Sequence, residues 1–162
     1  MPNPTQQELL EWFTDGGDFL IWKQHPPRST SWPGDPAGCK GERYHQTKFK
    51  GTMYYTHRLL WILRHGSIPG DMLVDHRRSN DRYNNKDDNL RLATNFQNQM
   101  NRKASKCASG HKNIMERGGK WLARVSINGV RTYDLFDTIE EAVAAVKLSR
   151  ETAHGEFCNH GD

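Results

Sequence analysis

Four polar residues stand at spacings that chemistry can use: Asp75, His76, Asn89 and Asn98. Asp75 and His76 are adjacent and close an apolar run, Met72-Leu73-Val74. Asn89 follows His76 by 13 positions, and Asn98 follows Asn89 by 9. An imidazole titrates near neutrality and can take a proton from water. A carboxylate and an amide oxygen are hard donors of the kind magnesium takes, and so sparse a set leaves coordination positions open for substrate and water. Neighbouring side chains of a strand point to opposite faces, so the chain is expected to turn at Asp75-His76 if both are to serve one site.

The elements that must position these groups can be read on either side. The apolar run 72–74 reads as a strand ending at Asp75. A loop rich in Asn, Asp and Arg follows, from Arg77 to Asp88, with turns held by side-chain to backbone bonds. Asn89-Leu90-Arg91-Leu92-Ala93 reads as a short second strand. Thr94-x-x-Gln97 is a capping box, so a helix starting at Asn95 carries Asn98 on its first turn, within reach of the strand end. Asn101, three residues on, shares that helix face.

The stretch VDHRRSNDRYNNKDDNLRLATNFQNQMN, residues 74–101, resembles the HNH nuclease motif, a strand–loop–strand–helix unit holding one divalent metal and one catalytic histidine. The preceding HRLLWILRHGSIPGDMLVDH resembles the corresponding segment of phage and intron-encoded HNH endonucleases. The resemblance implies catalytic roles for His76, as general base, and for Asn89, which orients the loop and the histidine. It makes Asp75 and Asn98 the metal ligands, with Mg2+ as the expected ion and Mn2+ as an alternative. Arg77 and Arg78, with Arg82 and Lys86, would lie against phosphate. The implied reaction is cleavage or nicking of double-stranded DNA at recognised sites. It needs a deprotonated water, neutralised phosphate charge and a stabilised leaving oxygen. A homing role follows from the resemblance alone. The zinc-ribbon variant of this nuclease class carries two CxxC pairs, which are absent here, so no structural zinc is expected.

Upstream, Thr5-Gln6-Gln7-Glu8 is a capping box for a short helix reaching about Thr14, and Phe19–Lys23 reads as a strand. Residues 26–38, rich in Pro, Ser and Gly, read as a loop. Arg43–Thr56 reads as two strands around a Lys50-Gly51 turn. Its interleaved basic and tyrosine residues suit a nucleic-acid backbone, or equally a solvated hairpin with a tyrosine-rich core face. Thr56 is expected to cap a helix from His57 to His65, stopped by Gly66.

Downstream, 101–110 reads as a basic linker. Three strands follow, Lys112–Glu116, Lys120–Ile127 and Val130–Phe136, with turns at Gly118-Gly119 and Asn128-Gly129. Thr138 caps a helix reaching about His154, whose packed side is assigned to Ala142, Val143, Ala145, Val146, Leu148 and Ser149. Residues 101–133 hold eight Lys or Arg against one acid, and 134–162 hold two against seven acids. A basic sheet backed by an acidic helix leaves one face for a polyanion. The segment GHKNI…GGKWLARVSINGVRTYDLFDTIEEAVAAVKLSRETAHGEF resembles the ethylene-response-factor-type DNA-binding domain, also found fused to HNH nucleases of phages. The matching DNA-binding positions are Lys112, Arg117, Lys120, Trp121, Arg124 and Arg131. Trp121 has a rival reading as a sheet–helix core residue. Asp134 departs from the family's glycine-bearing stretch and puts an acid near the sheet. Cys107-x-x-x-His111 with Cys158-x-His160 is an unfamiliar tetrahedral set, and unpaired thiols are the simpler reading.

The fold class expected is α+β: a ββα-metal nuclease core with N-terminal strands and helices, spanning residues 1–104, then a small three-stranded sheet backed by one helix, 105–162. A mean hydropathy of −0.91 with 35% hydrophobic residues favours small units over one large core. Three cysteines, Cys39, Cys107 and Cys158, give no disulfide framework. No cationic leader and no run of about 20 apolar residues is present, so a cytoplasmic protein, inside a host cell if phage-encoded, with no membrane partner is expected. The oligomeric state is open. A non-catalytic DNA-binding regulator and an RNA-directed protein are the rival functions.

Overall fold

Thr5 starts the first element by accepting from the Glu8 backbone N–H while the Glu8 carboxylate accepts from the Thr5 backbone, and helix α1 runs Gln6–Trp12. The computed structural model describes residues 3–78, 80–101, 108–127 and 130–158. After α1 come β1 (Phe13–Asp15), β2 (Leu20–Trp22), β3 (Pro36–Ala37), β4 (Cys39–Lys40), β5 (His45–Phe49), β6 (Thr52–Tyr55), helix α2 (Thr56–His65) and β7 (Met72–His76). A 3-10 turn (Asp87–Asn89) leads to β8 (Leu90–Thr94) and helix α3 (Asn95–Met100). The tail holds β9 (Ile114–Arg117), β10 (Lys120–Ile127), β11 (Val130–Phe136) and helix α4 (Ile139–His154). The chain forms two compact units, Met1–Asn95 and Phe96–Asp162, which divide inside α3.

In the first unit the strands pair as β1-β2-β3, β4-β5-β6 and β7-β8. Its core joins Leu9 and Phe13 to Leu20, Trp22, Phe49 and the inner side of α2, Leu59, Leu60, Ile62 and Leu63. Phe13 centres the cluster, with ring centroids 4.5 Å from Trp22 and 5.3 Å from Phe49. Each such buried side chain contributes about 1.5–3 kcal/mol. The β5–β6 turn has both central residues at positive φ, Lys50 at 47° and Gly51 at 82°, the geometry that matches strand twist in a two-residue hairpin. The short pairing of Pro36-Ala37 with β2 falls inside the segment expected to be loop. Its proline gives no strand signal.

Helix α2 begins one residue earlier than expected. Thr56 lies inside it, and Tyr55 takes the cap position with no side-chain bond. The Thr56 hydroxyl turns inward to the Thr47 hydroxyl, 2.9 Å away, and Thr47 donates onward to the Ala37 carbonyl at 3.0 Å. A buried pair of hydroxyls needs partners, and that demand outweighs a cap exposed to water. The Gln6 side chain donates to the Leu63 carbonyl at 3.0 Å and covers the far end of α2, where Gly66 at φ 88° ends the helix.

In the second unit the strand order is β11-β10-β9. Ile114, Ala123 and Val125 pack with Ala142 and Val146 of α4, and Trp121, Phe136 and Val143 border them. Thr138 and Glu141 form the expected capping box. Leu148, assigned above to the packed side, is 67% exposed. Strand β9 begins at Ile114 rather than at the expected Lys112, because Lys112 and Asn113 form the turn entering it. The Asn128-Gly129 turn, Cys107, His160 and residues 102–107 of the expected linker lie outside the described residues. Among the described residues no helix is long and apolar enough to cross a membrane.

Gly38 sits at φ 105°, and a Cβ there would overlap the Gln46 carbonyl oxygen and the Thr47 hydroxyl. Both causes act against any side chain. Gly38→Ala is expected to lower stability by about 2 kcal/mol or more, read as a drop in the urea midpoint at unchanged slope.

Candidate active site

Strand β7 pairs antiparallel with β8 in the register Met72↔Thr94, Val74↔Leu92, Asp75↔Arg91 and His76↔Leu90. The ladder continues beyond His76, since the Arg77 N–H donates to the Asn89 carbonyl at 2.8 Å. The turn expected at Asp75-His76 is therefore absent. Both residues are in the strand, and the pleat sends their side chains to opposite faces. The Asn89 carbonyl holds the chain extended where a free strand end would have bent.

Asp75 faces Arg91 across the hairpin. Both are buried, at 9% and 4% exposure, and the Arg91 Nε donates to Asp75 Oδ2 at 3.2 Å. The pair makes a buried carboxylate tolerable. His76 faces the other way, at 4% exposure. Its ring lies parallel to Tyr44, centroids 5.7 Å apart, and meets the edge of His57 at 4.9 Å. Its Nε2 is 2.9 Å from Asn85 Oδ1.

Burial pushes the His76 pKa down. The Asn85 hydrogen bond and the Asp75 and Asp81 charges push it up but do not win. His57 is driven down to about 3, by burial first and then by His76 and Arg58. Both rings are neutral at physiological pH, the state in which an imidazole can accept a proton.

Asn85 is held on three sides. Its backbone N–H donates to Asp18 Oδ1 at 2.8 Å, its side-chain Nδ2 donates to the Asp18 carbonyl at 2.7 Å, and its own carbonyl accepts from Arg64 Nη1 at 2.8 Å. Arg64 on α2 grips Asp15 with two bonds of 2.6 and 2.8 Å and the Gly17 carbonyl with another of 2.6 Å. That grip lowers the Asp15 pKa and raises the Arg64 pKa, the mutual hydrogen bond being the largest cause of each. The sequence alone singles out neither Asn85 nor Arg64. Asn85 lies among similar residues in an Asn-rich loop, and Arg64 looks like a helix-surface cation.

Asn89, also buried, staples the loop. Its Nδ2 donates to the Asn84 carbonyl at 2.8 Å and the Asp81 carbonyl at 3.3 Å, and its Oδ1 accepts from the Arg78 N–H at 3.0 Å. Arg77 and Arg78 are exposed on the loop, and Arg78 lies 4.0 Å from Asp88. Asn98 is half-buried on α3, in the second unit.

Across the second unit's sheet, the register sorts the basic residues. Lys120 pairs with Arg117, Arg124 with Tyr133 and Ser126 with Arg131. These positions alternate away from Ala123, Val125 and Ile114, which face α4. Arg117, Lys120, Arg124 and Arg131 therefore share the open face with Met115, Tyr133 and Leu135, and all seven are exposed. Asp134 pairs with Ala123 and so belongs to the helix side, away from the basic face. Trp121 is also on the helix side and borders the core. Lys112 is half-buried. Its Nζ donates to the Met100 carbonyl at 3.3 Å, and burial, then Arg150, brings its pKa down to about 8.

Hard oxygen donors suit a divalent cation of the Mg2+ type. Asp75 supplies one carboxylate at the hairpin, and among the described residues no group of three or more His, Cys, Asp or Glu could hold a metal. The chemistry of the donors fits a sparse site completed by an amide oxygen, water and substrate.

Residues 54–100, which span α2, the β7–β8 hairpin and α3, match the HNH endonuclease family model. The chain is also similar to a protein described as an uncharacterized HNH endonuclease of Acanthamoeba polyphaga mimivirus, with 38% identity over 104 residues. That match covers 62% of this chain and 54% of the viral protein, so the chain spans about half the length of that relative. No solved structure matches the chain.

Two outcomes follow from the buried charges. Arg91→Ala, which removes the guanidinium facing the buried Asp75 carboxylate, is expected to cost about 3–5 kcal/mol in chemical denaturation at neutral pH. His57 is neutral in the folded chain down to about 3 but protonates in the unfolded chain below 6.5. Its contribution is thus complete above 6.5 and declines as pH falls through that window. Between pH 7 and pH 5 the loss from His57 is about 2 kcal/mol, and His57→Phe should flatten the slope.

Proposed function

We propose that the protein is a metal-dependent endonuclease that nicks or cleaves duplex DNA at recognised sites. The observation that carries this reading is the buried His76 fixed at the end of β7, within the stretch that matches the HNH family. In this mechanism the His76 imidazole takes a proton from water. The resulting hydroxide attacks phosphorus, the bond to the 3′ oxygen breaks, and that oxygen takes a proton from water, leaving 5′-phosphate and 3′-hydroxyl ends. Asp75 and Asn98 would hold a divalent ion, Mg2+ or Mn2+, which when bound neutralises phosphate charge and stabilises the leaving oxygen. Asn89 keeps the loop folded over the hairpin, so that Arg77 and Arg78 can meet the phosphate backbone.

The nuclease region would take residues 1–104, and the sheet and helix at 105–162 would bind the duplex. The basic face of Arg117, Lys120, Arg124 and Arg131 supports that role. Lys120 sits 2.8 Å from Asp137 on the surface, an exposed pair of the kind that phosphate can displace. Trp121 packs toward the core rather than the open face, and Lys112 is occupied at Met100, so these two serve the surface indirectly. A homing role is the biological setting that the domain pairing fits.

With supercoiled plasmid and Mg2+, wild type is expected to nick, and His76→Ala to lose about 100-fold or more in rate. Equal rates in the two proteins would remove the catalytic reading and leave a DNA-binding regulator. Replacing Arg117, Arg124 and Arg131 by Ala should weaken duplex binding and reduce its salt slope by about one for each phosphate no longer neutralised. An unchanged slope would move the duplex to another surface.

A further inference from the structure

The loop beneath His76 contains a hydrogen-bonding arrangement that fixes which ring nitrogen carries the proton. Asn85 is 1% exposed, and its side-chain amide has one orientation open to it. The atom 2.7 Å from it on one side is the Asp18 backbone carbonyl oxygen, which can only accept, so the Asn85 Nδ2 must face it. Turned the other way, the amide would bring two acceptor oxygens together at that distance. The Asn85 Oδ1 is thereby committed to the other side, where it lies 2.9 Å from His76 Nε2. An amide oxygen cannot donate, so the proton of the neutral imidazole belongs on Nε2. The lone pair is then on Nδ1.

The anchors behind this amide are independent of its side chain. The residue 85 backbone N–H reaches Asp18 Oδ1, and the residue 85 carbonyl takes Arg64. Those two bonds are open to any residue but proline at 85, so the loop keeps its place while the acceptor is removed. Tyr44 and His57 touch the ring through their own ring faces and edges, contacts that hold its plane but do not select a nitrogen.

We propose that Asn85 is a positioning residue for the nuclease reaction, which locks His76 in the Nε2–H tautomer and so presents Nδ1 as the atom that accepts the proton of the attacking water. The inference rests on the nuclease reading for its purpose, though not for its geometry. When Nδ1 takes the proton, Nε2 keeps its own, and its bond to Asn85 Oδ1 becomes charge-assisted and stronger. The same contact that sets the tautomer then favours the imidazolium over the neutral ring. A wrong tautomer would point an N–H at the water and stop the reaction with the geometry otherwise intact.

The test separates the tautomer from the activity. Nitrogen-15 spectra of the metal-free protein above neutral pH report which His76 nitrogen is protonated, with the resonances assigned by their loss in His76→Ala. Wild type should show a protonated Nε2 and a bare Nδ1. Asn85→Leu should shift the ring toward a mixture of tautomers and lower kcat by about 100-fold with KM changed less than about threefold. A wild-type ring protonated on Nδ1 would overturn the proposal, even if Asn85→Leu failed to fold. So would an Asn85→Leu protein with unaltered tautomer and unaltered kcat. Failure of the nuclease reading has a different signature: wild-type protein that never nicks DNA while its spectrum still shows the Nε2–H ring.

Discussion

Arg64 is the joint on which the first unit turns. One guanidinium on α2 meets the Asp15 carboxylate through two bonds, the Gly17 carbonyl through a third and the Asn85 carbonyl through a fourth. A rigid planar fork does this where a lysine could not, because its donors are fixed in direction. The ion pair itself is partly open to solvent, with the Asp15 side chain at 37% exposure, so its net energy is modest. What it contributes is geometry. It ties the helix, the β1–β2 turn and the polar loop to one another, and through Asn85 it reaches the imidazole.

Around that imidazole two tendencies compete. Burial favours the neutral ring, while the Asn85 oxygen and the acids nearby favour the charged one, and burial is the larger. The resting ring is therefore neutral, with the means of stabilising its charged form already in place. Asp75, on the far face of the same strand, faces the opposite problem and solves it with Arg91.

Much of this is legible in the sequence where local rules dominate. The capping boxes at Thr5 and Thr138, the Lys50-Gly51 turn, the Gly66 stop and the strands β10 and β11 depend on near neighbours, and each is found in the structure. Thr56 reads as a cap from its neighbours, but its partner, Thr47, is distant enough in sequence that only tertiary packing brings the hydroxyls together. Leu148 looks packed because its spacing from Ala145 suits a helix face, yet the sheet covers a narrower stripe. Asp134 seems to spoil the basic face until the register puts it on the other side. Within the site, His76, Asp75 and Asn89 stand out by type and spacing. Asn85 and Arg64 cannot, since their value lies in bonds to Asp18 and Asp15, up to 67 positions away.

The neighbours Asp75 and His76 share one strand but serve opposite sides of it, and this makes the hairpin intolerant of length changes in a particular way. A deletion or insertion of a single residue ahead of Asp75 would not blur the site by degrees. It would exchange the two faces, delivering the carboxylate to the ring pocket lined by Tyr44 and His57 and the imidazole to Arg91. Both would then be mismatched at once, an acid against aromatic rings and a base against a fixed cation. Changes of length are tolerable only outside the paired strands, in the loop and the segments beyond them.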